Sequence, residues 1–366
     1  MSDLLSSHPP RNRPVTSKAG RPRLALALQG GGAHGAYGWG VLERLLDEDI
    51  DIVAVSGASA GALNGTALVA GLAAGGRAGA LAGLERLWKT VSDTSPLRAF
   101  DHQWGGPLFE PWFRRTLEVS KMMSRYVAQV SPQLRGMRAL RQVVSSSIDL
   151  GALTRDEALP LYIAATAVSN GAARLFGNDE ITVDAIMASA CLPDLFAAVT
   201  IDGQDYWDGG FSANPALEPL IFADHGATDL LIVQITPFAV DDTPTSLGGI
   251  VGRMSDIGFN ACLLRDLKAL TDVQTIARSA RSTDPAMQAL AATNLHMMPA
   301  PGAGRARFGQ QARHALVEDP GIARARPRHR LGLAGRECRA VPPQFDPHRG
   351  RPARGRCRLT IAGRGR

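Results

Sequence analysis

Residues 23–65 have the sequence RLALALQGGGAHGAYGWGVLERLLDEDIDIVAVSGASAGALNG, and this stretch decides the fold class. The short apolar run 23–28 ends in glycines, which is typical of a buried parallel strand. A helix is expected next, with the apolar side chains between 41 and 46 on one face. The run 51–57 predicts a second strand, and small residues follow that suit a helix packed closely on a sheet. Two strand–helix units at this spacing predict an α/β fold with a mainly parallel sheet.

Apolar runs and turn residues extend this pattern along the chain. Strands are predicted at 161–168 and 227–235, a hairpin around Asp202-Gly203, and helices at 182–196 and about 251–280. Together these elements predict an α/β fold, and the length and apolar content of the chain allow one large domain or two smaller ones.

Residues 84–150 differ from the rest of the domain because aromatic, methionine and basic residues alternate there. One interpretation is a helical insertion whose aromatic side chains, among them Trp88, serve as core. The other is a lid or channel wall for an acyl chain, since flexible methionine and aromatic surfaces suit a lipid tail. Both interpretations stay open at the level of sequence.

The run 52–76 contains no charged residue, which raises the question of a membrane span. Its glycine, alanine, serine and asparagine content makes it only weakly apolar, and Ser56-Gly57 interrupts it near its start. We therefore predict a buried strand, a turn and a helix in this run.

The ends of the chain differ in composition from the predicted domain. Residues 1–21 resemble a disordered basic leader without the apolar core of a secretory signal. The net charge of +6 comes from residues 301–366, whose sixteen arginines and four acids leave residues 1–300 at −6. Residues 299–366 are rich in arginine, glycine and proline and are predicted to be disordered. A reading-frame slip in a GC-rich gene is an alternative origin for so abrupt a change.

The number of cysteines and the charge also bear on compartment and partners. Four scattered cysteines predict neither a disulfide framework nor a clustered metal site, and they favour a reducing, cytoplasmic compartment. An arginine-rich tail can bind nucleic acid or anionic lipid. Because the tail lacks interleaved aromatic residues, we expect no specific nucleic acid, and peripheral contact with an anionic membrane is the remaining expectation.

A glycine-rich loop, residues 29–35, lies between the first strand and the first helix. Such a loop can aim several backbone N–H groups into one small volume near a helix N-terminus, which favours an anion or a developing oxyanion. The glycines at 30, 32 and 35 also fit the dinucleotide-binding pattern G-x-G-x-x-G, with acids at 49 and 51 near the expected distance. The loop alone does not separate an oxyanion hole from a cofactor site.

The pentapeptide Gly57-Ala58-Ser59-Ala60-Gly61 follows the second strand and precedes a helix. It fits the nucleophile-elbow pattern G-x-S-x-G, in which small neighbours let the chain turn sharply and expose the serine hydroxyl. A Gly/Ser turn without chemistry is the alternative, but the strand and helix around it are the context that an elbow requires.

A third loop, Trp207-Asp208-Gly209-Gly210, ends a predicted strand. An isolated Asp-Gly-Gly is usually a turn, but the carboxyl ends of strands in an open α/β sheet are where ligands bind. An elbow serine, an anion-stabilising loop and a carboxylate base are the parts that acyl transfer needs. We expect the pKa of Asp208 to be raised by apolar neighbours such as Trp207 and Phe211, since an ordinary aspartate is too weak a base near neutrality.

The segments QGGGAHGAYGWGVL, VSGASAGALNG and ASACLPDLF…YWDGGFSANPAL occur in this order, and together they resemble the patatin-like phospholipase family over about residues 22–298. The resemblance implies a three-layer α/β/α sandwich and a lipid or phospholipid substrate, hydrolysed without metal or other cofactor.

Site residues follow from the same resemblance. It implies Ser59 as nucleophile, Asp208 as the second member of a Ser-Asp dyad, and an oxyanion hole formed by the glycines at 30, 31 and 32. The glycines at 35, 57, 61, 209 and 210 complete the motifs. His34 departs from the family, which often has Arg or Lys at this place.

Two other functions are weighed against this one. A classical α/β-hydrolase would need a catalytic histidine, for which His102, His225 and His296 are the candidates. A dinucleotide-binding protein would use the glycine loop but leave the elbow serine and the Asp-Gly-Gly loop without a role.

Overall fold

The computed structural model describes most of the chain between residues 21 and 300. The described residues are 21–31, 35–94, 138–193, 196–223, 225–227, 229–280 and 282–300. Three long regions therefore lie outside the described residues: the leader up to residue 20, residues 95–137 of the aromatic stretch, and the basic tail from residue 301 onward.

The described residues form one sheet of eight strands with helices on both faces. The strands are β1 (Arg23–Leu28), β2 (Asp51–Ala58), β3 (Leu161–Ala167), β4 (Ala173–Phe176), β5 (Val199–Ile201), β6 (Gln204–Asp208), β7 (Asp229–Val233) and β8 (Asn294–Met298). The helices are α1 (Gly35–Leu46), α2 (Ala60–Thr94), α3 (Arg138–Ser147), α4 (Val183–Ser189), α5 (Glu218–Phe222), α6 (Leu247–Ala280) and α7 (Pro285–Ala292). Short 3₁₀ turns cover Leu150–Thr154, Asn178–Glu180 and Gly209–Phe211.

The sheet is mixed, and its strand order is β5-β6-β3-β2-β1-β7-β8, with β4 also paired to β3. Five neighbouring strands of the sheet run parallel to one another: β3, β2, β1, β7 and β8. The pairings of β4 and β6 with β3, and of β5 with β6, are antiparallel. The expected α/β fold with a mainly parallel sheet is confirmed.

The alternation of residues in β1 shows how the sequence builds two helical layers. Its leucines at 24, 26 and 28 pack into the larger core cluster, which includes residues of α1, α2, α3 and α4. Its alanines at 25 and 27 face the opposite cluster, which includes residues of α5, α6 and α7. Successive side chains of a strand point to opposite faces, so this one strand divides the two layers of an α/β/α sandwich.

The predicted elements are found close to their expected positions. The hairpin between β5 and β6 turns at Asp202 and Gly203, which both have positive φ angles, at 50° and 76°. Helix α4 ends at Ser189, seven residues before the end of the helix predicted at 182–196. Residues 84–94 complete α2, and Leu84, Leu87 and Trp88 are buried there, so this first part of the predicted insertion contributes side chains to the core.

Helix α2 is long and apolar enough, by length and composition, to cross a membrane. It contains a kink at Gly75 and Gly76, where the backbone leaves helical geometry. Residues 60–71, in its first half, are buried. The predicted order of strand, turn and helix across 52–76 is confirmed by β2 and α2, so α2 is a core helix of the sandwich.

Candidate active site

Ser59 lies between the last residue of β2 and the first residue of α2, and its φ angle of 52° is in the left-handed region. Such a backbone is strained for any residue other than glycine and is frequent at functional sites. The turn is tight: a Cβ added to Gly57 would lie 2.4 Å from the Gly61 carbonyl oxygen. One added to Gly61 would lie 2.0 Å from the Leu28 carbonyl oxygen. These contacts explain why the turn needs glycine on both sides of the serine.

Two hydrogen bonds hold the backbone of Ser59. Its N–H donates to the Ser189 hydroxyl at 3.0 Å, and its carbonyl accepts from the Leu63 N–H at 3.1 Å. Ser189 is fully buried at the end of α4. The fold therefore fixes the serine at the start of α2, where the positive end of the helix dipole favours negative charge on its oxygen.

Asp208 is the last residue of β6, and its side chain is completely buried. Its N–H donates to the Cys191 carbonyl at 2.8 Å, and its carbonyl accepts from the Thr166 hydroxyl at 2.8 Å. The side-chain oxygen Oδ1 accepts from the Gly210 N–H at 2.8 Å. The other oxygen, Oδ2, is buried and has no hydrogen-bond partner among the described residues.

Burial raises the pKa of Asp208 from 3.8 to about 7, because a carboxylate removed from water is costly to ionise. The Ser59 hydroxyl and the Gly210 amide both favour the charged form and offset part of this rise. Ser59 is thus near enough to influence the carboxylate, yet Oδ2 lacks a partner at hydrogen-bond geometry. The site holds a serine hydroxyl facing an unsatisfied carboxylate that can take a proton near neutral pH.

The pairing of β3 explains why Ser59 and Asp208 meet. Strand β4 occupies one edge of β3, so β2 and β6 must share the other edge. Along that edge Ala58 of β2 pairs with Ala164. The next residue of β3, Ala165, pairs with Asp208 of β6. Strand β6 therefore begins its pairing where β2 ends, which brings Asp208 to the register position that follows Ala58.

The glycine loop lies against the same elbow. A Cβ added to Gly30 would lie 2.7 Å from the Ser59 Cβ and 2.8 Å from the Ala58 carbonyl oxygen. The Gly30 N–H donates to Asn214 Oδ1 at 2.6 Å. No described residue accepts a hydrogen bond from the Gly31 N–H. Gly32 and His34, also singled out from the sequence, lie outside the described residues.

The remaining glycines of the motifs lie at close contacts. A Cβ on Gly209 would lie 2.1 Å from the Ala164 carbonyl oxygen, and one on Gly210 would lie 2.3 Å from the Phe259 ring. A Cβ on Gly35 would lie 2.6 Å from the Trp88 ring. The Asp-Gly-Gly turn therefore has no room for a side chain beside Ala164 of β3 or beside Phe259.

Two candidate histidines lie at the opposite edge of the sheet from Ser59. The His225 imidazole contacts the Tyr162 hydroxyl at 3.2 Å, near the start of β3. His296 contacts the Asp229 carboxylate at 2.8 Å, at the start of β7. Both contacts lie toward the amino-terminal ends of the strands, whereas Ser59 follows the carboxyl end of β2. His102 lies outside the described residues.

Several polar residues of the site carried no recognisable signal in the sequence. Asn214, Asn260 and Ser189 are buried polar residues that contact the glycine loop or the elbow. Asn214 follows the Asp-Gly-Gly turn closely, which is the one feature that could have drawn attention to it. Within the described residues, no group of three or more His, Cys, Asp or Glu side chains is arranged to hold a metal ion.

The elbow serine, the buried Asp208 carboxylate and the start of the glycine loop thus lie together at one end of an α/β sheet. The sequence profile described as patatin-like phospholipase matches residues 26–221. The chain belongs to the patatin-like phospholipase family.

Curated relatives are similar over about half of the chain. Uncharacterized NTE family proteins from Mycobacterium bovis and from two strains of Mycobacterium tuberculosis are each 28% identical over 203 residues. The match covers 55% of this chain and 45% of each relative, so it spans less than half of their length. Among solved structures, VipD from Legionella pneumophila aligns with a TM-score of 0.35 and 13% identity, over 75% of this chain and 60% of that one. That likeness adds no weight to the assignment.

Proposed function

We propose that this protein is a serine acyl hydrolase that cleaves carboxylic esters of phospholipids or related lipids. Ser59 is the nucleophile and Asp208 the general base of a Ser-Asp dyad. Membership of the patatin-like phospholipase family supports the substrate class. The observation that carries the dyad is the buried Asp208 Oδ2 without a partner among the described residues, on the strand that adjoins the elbow serine.

The reaction proceeds in two balanced halves. In the first, the Ser59 hydroxyl attacks the ester carbonyl as its proton passes to Asp208, and the tetrahedral oxyanion is held by amides of the glycine loop. Collapse of this intermediate breaks the ester C–O bond, and Asp208 returns the proton to the leaving alcohol or lysolipid. In the second half, Asp208 takes a proton from water as the water oxygen attacks the acyl-enzyme carbonyl. Collapse of this second tetrahedral intermediate breaks the bond between the acyl carbon and Ser59 Oγ, and Asp208 returns the proton to Ser59 as the fatty acid leaves.

The protonation state of Asp208 fits this role. An aspartate with a pKa of about 7 is ionised in a large fraction of molecules at neutral pH. It is also a stronger base than an ordinary aspartate, so proton transfer from a serine hydroxyl is less uphill. Burial thus supplies the basicity that a histidine provides in a classical triad.

Phospholipid hydrolysis by single variants tests the proposal. Ser59→Ala and Asp208→Asn should each lower the release of fatty acid from phospholipid micelles, by on the order of 10³-fold or more for the serine. Ser56→Ala is the matched serine control, because Ser56 is buried on β2, three residues before Ser59, and its hydroxyl donates to the Ala216 carbonyl. Asp229→Asn is the matched acid control at the other edge of the sheet.

The same assay separates the dyad from its rivals. If activity falls with His225→Ala or His296→Ala while Asp208→Asn remains active, the dyad is wrong and a histidine triad replaces it. If Ser59→Ala keeps wild-type activity in folded protein, the acyl-hydrolase assignment itself fails. Nicotinamide cofactor retained through purification would instead favour the dinucleotide-binding alternative.

A further inference from the structure

Asn214 occupies a buried position between the glycine loop and α6. It is fully buried, and both ends of its side-chain amide are engaged. Oδ1 accepts from the Gly30 N–H at 2.6 Å, and Nδ2 donates to the Phe259 carbonyl at 2.9 Å. A buried amide with both ends paired is costly to replace and orients whatever it binds.

The bond to Asn214 changes the role of Gly30. Gly30 lies against the Ser59 side chain, as the 2.7 Å approach of an added Cβ to the Ser59 Cβ shows. Its N–H, however, is directed to Asn214 and is already used. An N–H that donates at 2.6 Å to a buried oxygen cannot also serve an oxyanion without breaking that bond. The first glycine therefore positions the loop, and Gly31 is the first amide of the loop without an acceptor among the described residues.

A second buried amide secures the preceding residue. Gln29 Oε1 accepts from the N–H groups of Ile235 and Thr236, each at 2.9 Å. Gln29 Nε2 donates to Asn260 Oδ1 at 2.8 Å. Residues 29 and 30 are thus tied to residues 260 and 259 of α6, the first directly and the second through Asn214. Helix α6 supports the start of the loop through two separate amide side chains.

We infer that Asn214 is a positioning residue for the oxyanion loop: it holds Gly30 against Ser59, withholds the Gly30 N–H from the oxyanion and leaves Gly31 as the first donor. This inference rests on the proposed acyl-hydrolase function. Because Asn214 acts through the loop and not on the substrate, its loss should affect the tetrahedral state more than substrate binding.

Asn214→Leu tests the inference, since leucine has a similar volume but neither polar group. Gln274→Met is the matched control: Gln274 is a buried amide on α6, the helix that Asn214 contacts, and its Nε2 donates to the Leu290 and Thr293 carbonyls, away from the site. Hydrolysis of a soluble p-nitrophenyl ester gives kcat and KM, and a trifluoromethyl ketone measures affinity for a tetrahedral mimic. Thermal unfolding of each variant reports how much folded protein is assayed.

In folded Asn214→Leu, kcat should fall by on the order of 10²-fold with KM within about threefold of wild type, because a small displacement of catalytic groups is that costly. Affinity for the ketone should fall in proportion to kcat, whereas Gln274→Met should keep both. Equal values of kcat and ketone affinity in the two variants would overturn the inference. If the leucine variant does not fold, Asn214→Ser answers the same question, because its hydroxyl is too short to reach Gly30 and water can fill the space. A Ser59→Ala variant that keeps activity would instead contradict the proposed function.

Discussion

Replacing Asp208 by asparagine should stabilise the protein at neutral pH while it removes activity. The folded protein binds the Asp208 proton more tightly than the unfolded chain, because burial raises the pKa from 3.8 to about 7. For a group with a raised pKa, the stability present below the unfolded pKa is lost as the pH rises through the folded one. The unfolding free energy of wild type is therefore expected to fall between about pH 4 and pH 7 because of this one carboxyl group.

The size of the effect follows from the same two pKa values. A shift from 3.8 to about 7 corresponds, at about 1.4 kcal/mol for each tenfold change in proton affinity, to about 4 kcal/mol of stability lost in the fully ionised state. Part of that loss is already present at pH 5. Between pH 5 and pH 8 the difference in unfolding free energy between Asp208→Asn and wild type should therefore grow by about 2–3 kcal/mol in favour of the variant.

Urea denaturation of wild type, Asp208→Asn and Asp229→Asn at several pH values between 5 and 8 measures this difference. Asp229 is the control because it is a buried acid that has a histidine partner. The difference in unfolding free energy between Asp208→Asn and wild type could instead stay constant, within about 0.5 kcal/mol, from pH 5 to pH 8. That result would refute the burial of an unsatisfied carboxylate at position 208.

Three further outcomes are expected. The value of kcat/KM should rise with pH and level off above about 7, as Asp208 ionises in the free enzyme; a profile that is flat from pH 5 to 8 contradicts this. Gly30→Ala should lower activity by at least about tenfold, since its Cβ would meet Ser59, while Gly40→Ala, whose Cβ meets nothing within 4 Å, should not. If the tail contacts anionic membranes, removal of residues 301–366 should lower hydrolysis of anionic vesicles and leave hydrolysis of a soluble ester unchanged; unchanged hydrolysis of both substrates would contradict a membrane role for the tail.

The sequence predicts most of the sheet because local patterns carry that information, whereas its three layers were predicted from the family resemblance. The apolar run 23–28 predicts the first strand, and glycines on both sides of Ser59 identify the elbow. These signals depend on a few consecutive residues. They can therefore be recognised without knowledge of any distant contact.

The approach of Asp208 to Ser59 is a different matter, because it depends on strand pairing far apart in sequence. That β6 is antiparallel and continues the edge of β3 where β2 ends cannot be read from either segment alone. From the sequence, the joint motif suggested the pair only by resemblance to a family. The strand register now supplies a physical reason for it.

Buried amide contacts were the least predictable part of the site. Asn214, Gln29 and Asn260 bond one another or the backbone across separations of 184 and 231 residues. An asparagine in a loop is usually a turn former, so its type alone indicates nothing about such contacts. Only the assembled fold shows that these side chains fix the start of the glycine loop.

The most direct test is labelling with a fluorophosphonate probe, followed by identification of the labelled peptide. Wild type should be labelled on the peptide that contains Ser59, Ser59→Ala should take no label, and Asp208→Asn should react far more slowly at neutral pH. Label on another residue, or wild-type labelling of Asp208→Asn, would contradict a serine activated by the adjoining carboxylate.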